Sequence, residues 1–165
     1  MPPINSFTRH CIALALSQLT CSAVTHAAVI QVGVEQGVGC SLEDAIVSAN
    51  TDSAVGQCTA GSGADVINIP QQSITLTAVA SGTNYYGYSG LPLVNSAITI
   101  EGNGSTIARY VSAPEFRIIS TSSSSLSVLN LNSITLHGGA LVSSGGYGCA
   151  VLAGTGSTVT IANST

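Results

Sequence analysis

Short apolar stretches recur in this chain at an interval of about thirty residues. Ala97-Ile98, Ser127-Val128 and Thr158-Val159 open three related stretches, with Ile98, Val128 and Val159 thirty and then thirty-one positions apart. Asn132-Ser133 returns as Asn163-Ser164 in the same frame. A single unit of this kind cannot bury its apolar face alone, whereas stacked units share one continuous core. The interval therefore predicts an all-β solenoid whose layers differ in loop length.

The segments between these marks support that reading. Val29–Val34, Val66–Ile69, Ile74–Thr77, Ala97–Ile100, Ser105–Ala108, Phe116–Ile119, Leu126–Leu131, Ile134–Leu136, Val151–Leu152 and Val159–Ile161 all read as strands of two to six residues. Pro70 ends one of them, and Glu101-Gly-Asn-Gly104 marks a turn between two others. Only 6% of the 165 residues are charged and lysine is absent, so Ser, Thr, Asn and Gly must supply the polar surface. An ordinary soluble domain carries roughly 25% charged residues. The three basic residues are Arg9, Arg109 and Arg117, and the formal net charge is -4. Nucleic-acid binding needs a basic stripe to replace counterions, and a polybasic membrane anchor needs clustered cations. Neither partner class fits this chain.

One segment breaks the strand pattern. Ser41 can cap a helix of about residues 41–50, with Asp44 three positions on completing a capping box. Leu42, Ala45, Ile46 and Ala49 fall on one helical face, and Glu43 and Asp44 lie in the first turn, where the helix dipole favours acids. The first layer of a solenoid exposes apolar core and unpaired backbone, so an amphipathic helix placed here is expected to lie over it as a cap.

Residues 1–28 read as a secretory leader. Arg9 and His10 precede an apolar stretch from Ile12 to Val24, interrupted by Ser17, Gln18 and Thr20 and too short for a membrane span. Thr25-His26-Ala27 places small residues where a leader peptidase reads, so cleavage is expected near Ala27 or Ala28. The alternatives are a buried N-terminal helix, or a lipidated Cys21 whose upstream residues fit a lipobox poorly. Export leaves Cys40, Cys58 and Cys149. In an oxidising compartment Cys40 and Cys58 are the natural disulfide pair. Cys149 is then a buried thiol, or pairs beyond this chain. The resulting layout is a leader over 1–28, an N-terminal cap over 29–63 and solenoid layers over 64–165, with the last layer cut short.

Cys40-Ser-Leu-Glu-Asp-Ala-Ile46 and Ser48-Ala-Asn50 resemble the C-S-L-R-E-A-I motif of exported bacterial proteins, with Glu43 where that family often has Arg. Gly63-Ala-Asp-Val-Ile-Asn-Ile69, Ile98-Thr-Ile-Glu-Gly-Asn-Gly104 and Ile134-Thr-Leu-His-Gly-Gly139 resemble, in order, three further stretches of the same family. The resemblance spans roughly residues 29–165. It implies a right-handed parallel β-helix of the pectate-lyase-like kind, incomplete and of few coils, behind a short capping helix. It also implies export to the cell surface, the outer membrane, the periplasm or the medium. Family members are typically much longer.

Chemistry is thinly represented. Lyases and hydrolases of this shape gather several carboxylates on one face. The acids outside the leader are Glu35, Glu43, Asp44, Asp52, Asp65, Glu101 and Glu115, and apart from Glu35 and Asp65, thirty positions apart, no two recur at the layer interval. Asp65 suits a turn cap, and Glu101 a turn surface. Arg109 and Arg117 suit ion pairs with Glu101 or Glu115, and His137 a strand end. No C-x-x-C occurs, and His137 is the only histidine outside the leader. No catalytic, cofactor-binding or metal-ligating set is read from the sequence, and no cofactor is expected. Tyr85, Tyr86 and Tyr88 are the candidates for sugar stacking. The expected function is a structural or adhesive surface module without catalysis, contacting surface glycans or a host surface and able to self-associate through its open last coil. The alternative is the N-terminal part of a carbohydrate-active lyase or hydrolase whose catalytic coils lie elsewhere. Acid clusters at layer spacing in downstream sequence would favour the enzyme.

Overall fold

A computed structural model describes residues 26–80, 87–140 and 150–165. The elements in chain order are β1 (Val29–Gln31), α1 (Leu42–Thr51), β2 (Ala64–Asn68), β3 (Ser73–Leu76), β4 (Ala97–Arg109), β5 (Ile119–Ser120), β6 (Val128–His137), β7 (Val151–Leu152) and β8 (Thr158–Ala162). Strands predominate, and α1 is the one helix among the described residues. The main sheet runs β1-β2-β4-β6-β8, with β3 paired to β4, and a second sheet joins β5 to β7. Every pairing between these strands is parallel, and the sheets are open.

Parallel neighbours cannot be joined by tight hairpins, so the chain must travel a full circuit before returning beside itself. It does so four times along the main sheet, the first time from β1 through α1 to β2. After β2 it runs through β3 and residues 89–94. After the first half of β4 it runs through the second half and residues 117–121. After β6 it reaches β7, and then β8. Each leg lies beside the same leg of the next circuit: Ile67 beside Ile100, Ile74 beside Ile107, Ser89 beside Arg117 and Val94 beside Thr121.

Alternation fixes which side chains enter the core. In the first half of β4, Ile98 and Ile100 are buried while Ala97, Thr99 and Glu101 lie partly outside. The register then lines up Ile30, Ile67, Ile100 and Leu131 as one buried column, with Ile98 and Leu129 in the next. Ile74 and Ile107 line the second leg, and Leu91, Phe116, Ile118 and Ile119 close the core from the third. Burying one such side chain contributes about 1.5–3 kcal/mol, so stacking supplies what no single circuit can.

The register corrects the sequence frame by one residue at β6. Ile98 pairs with Leu129, and Leu129 with Val159, so the intervals are thirty-one and then thirty. The interval in the sequence alone puts Val128 in that row. A one-residue slip moves every side chain to the opposite face. Leu129 and Leu131 together fill the core only if Val128 is left partly exposed.

The stretches read as separate strands at 97–100 and 105–108 form one bent element, β4. Its pairing with β6 shifts register between Glu101 and Ser105. Asn103 and Gly104 turn there with φ of 51° and 84°. Ser133 and Asn163 adopt the same left-handed conformation, both at φ 52°. Gly102 lets the neighbouring layer approach: a Cβ there would meet Ser133 O and Ile134 Cβ, each at 2.7 Å.

Candidate functional site

Two surfaces have a defined construction: the capped end of the stack and the outward face of the main sheet. At the capped end, Cys40 and Cys58 form a disulfide with their Cα atoms 4.6 Å apart. It closes an 18-residue separation around α1, and such a loop contributes about 3 kcal/mol by restricting the unfolded chain. Ser41 is the N-cap of α1, and its Oγ accepts from Asp44 N at 3.0 Å. The Asp44 carboxylate points to Gly56, where there is no room for a side chain. Leu42, Ala45, Ile46 and Ala49 are buried, and α1 packs against β1, β2 and β4.

The helix also carries two polar fasteners. Buried Ser48 accepts from Val55 N through its Oγ at 3.1 Å, and its carbonyl accepts from Asp52, the left-handed C-cap. Asn50 donates from Nδ2 to Leu93 O at 2.8 Å, while its Oδ1 accepts from Asn95 N at 3.0 Å and Ser96 Oγ at 3.2 Å. The Ser48-Ala-Asn50 part of the motif therefore holds both the loop leaving the helix and the segment entering β4.

The segment between β1 and α1 covers an exposed strand. Gln36 donates to Thr75 O at 2.7 Å and accepts from Thr75 N at 2.9 Å, so one side-chain amide occupies the backbone positions a further strand would fill. Gln72 ties the same segment by donating to Gly33 O at 2.7 Å. Beneath it lies a cavity of about 180 Å³, walled by Val32, Cys40, Leu42 and Ile74 with Glu35 and Glu43 at its rim.

The outward face carries polar rows beside apolar positions at Val29, Val66, Ala97 and Val128, and Glu101 is the one acid in its paired rows. Gln31, Asn68, Glu101 and Asn132 occupy one row across four strands. Asn68 donates to Gln31 Oε1 at 2.7 Å, and Asn132 to Glu101 Oε2 at 2.8 Å. A second row holds Thr99, Asn130 and Thr160, with Asn130 donating to Thr99 Oγ1 at 3.2 Å. Along the bend, Asn103 donates to Asn68 Oδ1 at 2.8 Å and Asn163 to Asn132 Oδ1 at 3.1 Å. Strand spacing of about 4.8 Å sets these side chains at hydrogen-bonding distance from one layer to the next. The sequence offered one trace of these rows, the return of Asn132-Ser133 as Asn163-Ser164.

The remaining candidates are dispersed. Tyr85 and Tyr86 lie outside the described residues, as does Cys149. Tyr88 is 51% exposed, and its carbonyl accepts from Arg117 N. Arg109 donates to the carbonyls of Gly138, Ala113 and Tyr110 and stands over the Phe116 ring. Arg109 thus ties loop backbone together. Arg117 is completely buried, which its sequence context did not reveal. His137 ends β6 and is exposed. Glu35, Asp52 and Glu115 are exposed, Asp65 is buried, and Glu101 belongs to the amide row. Among the described residues no three His, Cys, Asp or Glu side chains converge as metal ligands, and no helix is long and apolar enough to cross a membrane.

No protein-family model, curated protein or solved structure matches this chain.

Proposed function

We propose that this chain is an exported right-handed parallel β-helix module with a structural or adhesive role and no catalysis of its own. The observation that carries the reading is the outward face of β1-β2-β4-β6-β8. One row is polar across four strands, Gln31-Asn68-Glu101-Asn132, and the next is polar from Thr99 through Asn130 to Thr160, with side chains set at the strand interval. Such a face offers paired donors and acceptors to a chain of sugar hydroxyls, and needs little charge to do so. Surface glycans, on the producing cell or on a host, are the partner class that fits it. The Cys40–Cys58 disulfide supports an oxidising destination, since such bonds persist outside the reducing cytosol. Among the described residues β8 is the outermost strand of the main sheet, and self-association would run through pairing of that strand with a second copy of the chain.

The acids favour this reading over a lyase or hydrolase. Asp65 is enclosed, Glu101 is held by Asn132, and Glu35 and Glu43 rim the cavity at the capped end without a basic residue among its lining. The test is to express the full chain with its own leader in a bacterial host, fractionate the cells, and present the exported protein with a panel of polysaccharides. The expected result is an oxidised protein outside the cytoplasm that is retained on at least one polysaccharide without releasing reducing or unsaturated ends. Cytoplasmic retention with free thiols would overturn the export reading, and released ends would establish the enzyme.

A further inference from the structure

Asp65 is the one acid placed in the core. It is 1% exposed and stands in the inward row continued by Ile98 and Leu129. Its Oδ1 accepts from Ser62 N at 2.7 Å and from Ala28 N at 3.0 Å. Among the described residues nothing donates to Oδ2, which is also buried. Backbone surrounds it closely: a side chain at Gly61 would collide with Asp65 Oδ2, Ala49 Cα and Ser48 O. A carboxylate enclosed with only neutral donors and one unfilled oxygen is costly, and a cationic partner would offset that cost.

Ala28 is held to β2 and its turn by two bonds. Its carbonyl accepts from Val66 N at 2.9 Å while its nitrogen faces Asp65. Immediately before it stands Thr25-His26-Ala27, with small residues at the first and third positions upstream of the Ala27–Ala28 bond. That is the spacing a leader peptidase reads.

We propose that cleavage of the Ala27–Ala28 bond converts the Ala28 nitrogen into the charged partner of Asp65. The inference rests on the export reading above. In the step, water adds across the amide: Ala27 departs with a new carboxylate, and Ala28 keeps the nitrogen as a protonated amine. An α-amino group with a pKa near about 8 is mostly charged at neutral pH. It carries three protons where the peptide nitrogen carried one, enough to serve Oδ1 and Oδ2 together. Cleavage one bond later would discard Ala28 and both of its bonds to β2 and Asp65. The structure thus selects one of the two cleavage positions that the sequence left open. It also gives Asp65 a role as receptor for the mature N-terminus.

The chain contains no lysine, its three basic residues all being arginine. The mature α-amine is therefore its sole primary amine, and its reactivity is directly readable. The full chain is expressed with its leader, recovered from the exported fraction, and examined by intact mass and N-terminal sequencing. It is then acylated with an amine-selective acetylating ester, folded and in denaturant. The expected result is an N-terminus at Ala28 that reacts at least tenfold more slowly in the folded protein, with Asp65→Asn removing most of that protection. A mature chain beginning elsewhere overturns the proposal, as does an Ala28 amine that reacts equally fast folded and denatured. If Asp65→Asn fails to accumulate, the folded-to-denatured ratio of the unsubstituted protein decides. A retained leader with no export would sink the export reading itself, whereas export with a different or freely reactive N-terminus would sink only the ion pair.

Discussion

Asn50, near the end of the helix, donates its side-chain amide to the carbonyl of Leu93 at 2.8 Å, across 43 positions of sequence. The same side chain accepts from Asn95 N and Ser96 Oγ, just before β4 begins at Ala97. One residue thus joins the cap to the strand that carries the longest stretch of the main sheet. The helix is fastened to the stack by polar bonds at its C-terminal end and by Leu42 and Ile46 along its buried face.

Replacing Asn50 with Ala should therefore loosen two elements together. Three hydrogen bonds are lost, two of them to backbone groups, at a cost of roughly 1–3 kcal/mol. Hydrogen exchange should accelerate at the Asn95 amide and along the α1 C-terminus, while amides of β6 keep their protection. Uniform acceleration throughout the chain would show that Asn50 contributes only to global stability.

Cys40→Ser removes the disulfide and should lower stability by about 3 kcal/mol under oxidising conditions. The check is thermal unfolding with and without reductant. Reductant should bring the unsubstituted protein down to the level of the variant and leave the variant unchanged. Free thiols at Cys40 and Cys58 in exported material would contradict the bond.

Gly102→Ala tests the closeness of adjacent layers. The new methyl group would press on Ser133 O and Ile134, which belong to the next circuit. Overpacking of this kind typically costs about 1–3 kcal/mol. Gly37→Ala makes a useful comparison, because nothing lies within 4 Å of its added Cβ. Its φ of 84° still carries a local strain, so the expected order in chemical denaturation is the unsubstituted protein, Gly37→Ala, then Gly102→Ala.

Core truncation should separate the buried column from its exposed end. Ile100 is fully buried between Ile67 and Leu131, and Ile100→Ala should cost about 2–5 kcal/mol. Ile161 continues the same row on β8 but is 54% exposed. Ile161→Ala should be much milder, and equal losses at the two positions would contradict the assigned register.

Much of the strand layout was legible because inward and outward residues alternate within short segments, as at Ile98 and Ile100. The helix was legible from Ser41 and the spacing of Leu42, Ala45, Ile46 and Ala49. The exact register was not: Val128 and Leu129 are both apolar, and only the packing of neighbouring layers decides which one turns inward. The burial of Asp65 and Arg117 was hidden for a related reason. A charged residue reads locally as surface, and its enclosure depends on segments far away in sequence, such as Ala28, 37 positions before Asp65. The amide rows depend on the same long-range register, so only the recurrence of Asn hinted at them.

Thr99 lies beside Asn130 in adjacent parallel strands, with Thr160 one strand further on. Paired cysteines at these positions, introduced in a Cys149→Ser background, measure that order. Neighbouring strands lie about 4.8 Å apart, within the Cα separation of about 4.4–6.8 Å that a disulfide requires. Strands two places apart are near 9.6 Å and outside it. Mild oxidation of the folded protein should join Thr99→Cys to Asn130→Cys and leave Thr99→Cys with Thr160→Cys unjoined. Equal cross-linking of both pairs, or of the 99–160 pair alone, would contradict the stacked architecture on which the functional reading stands.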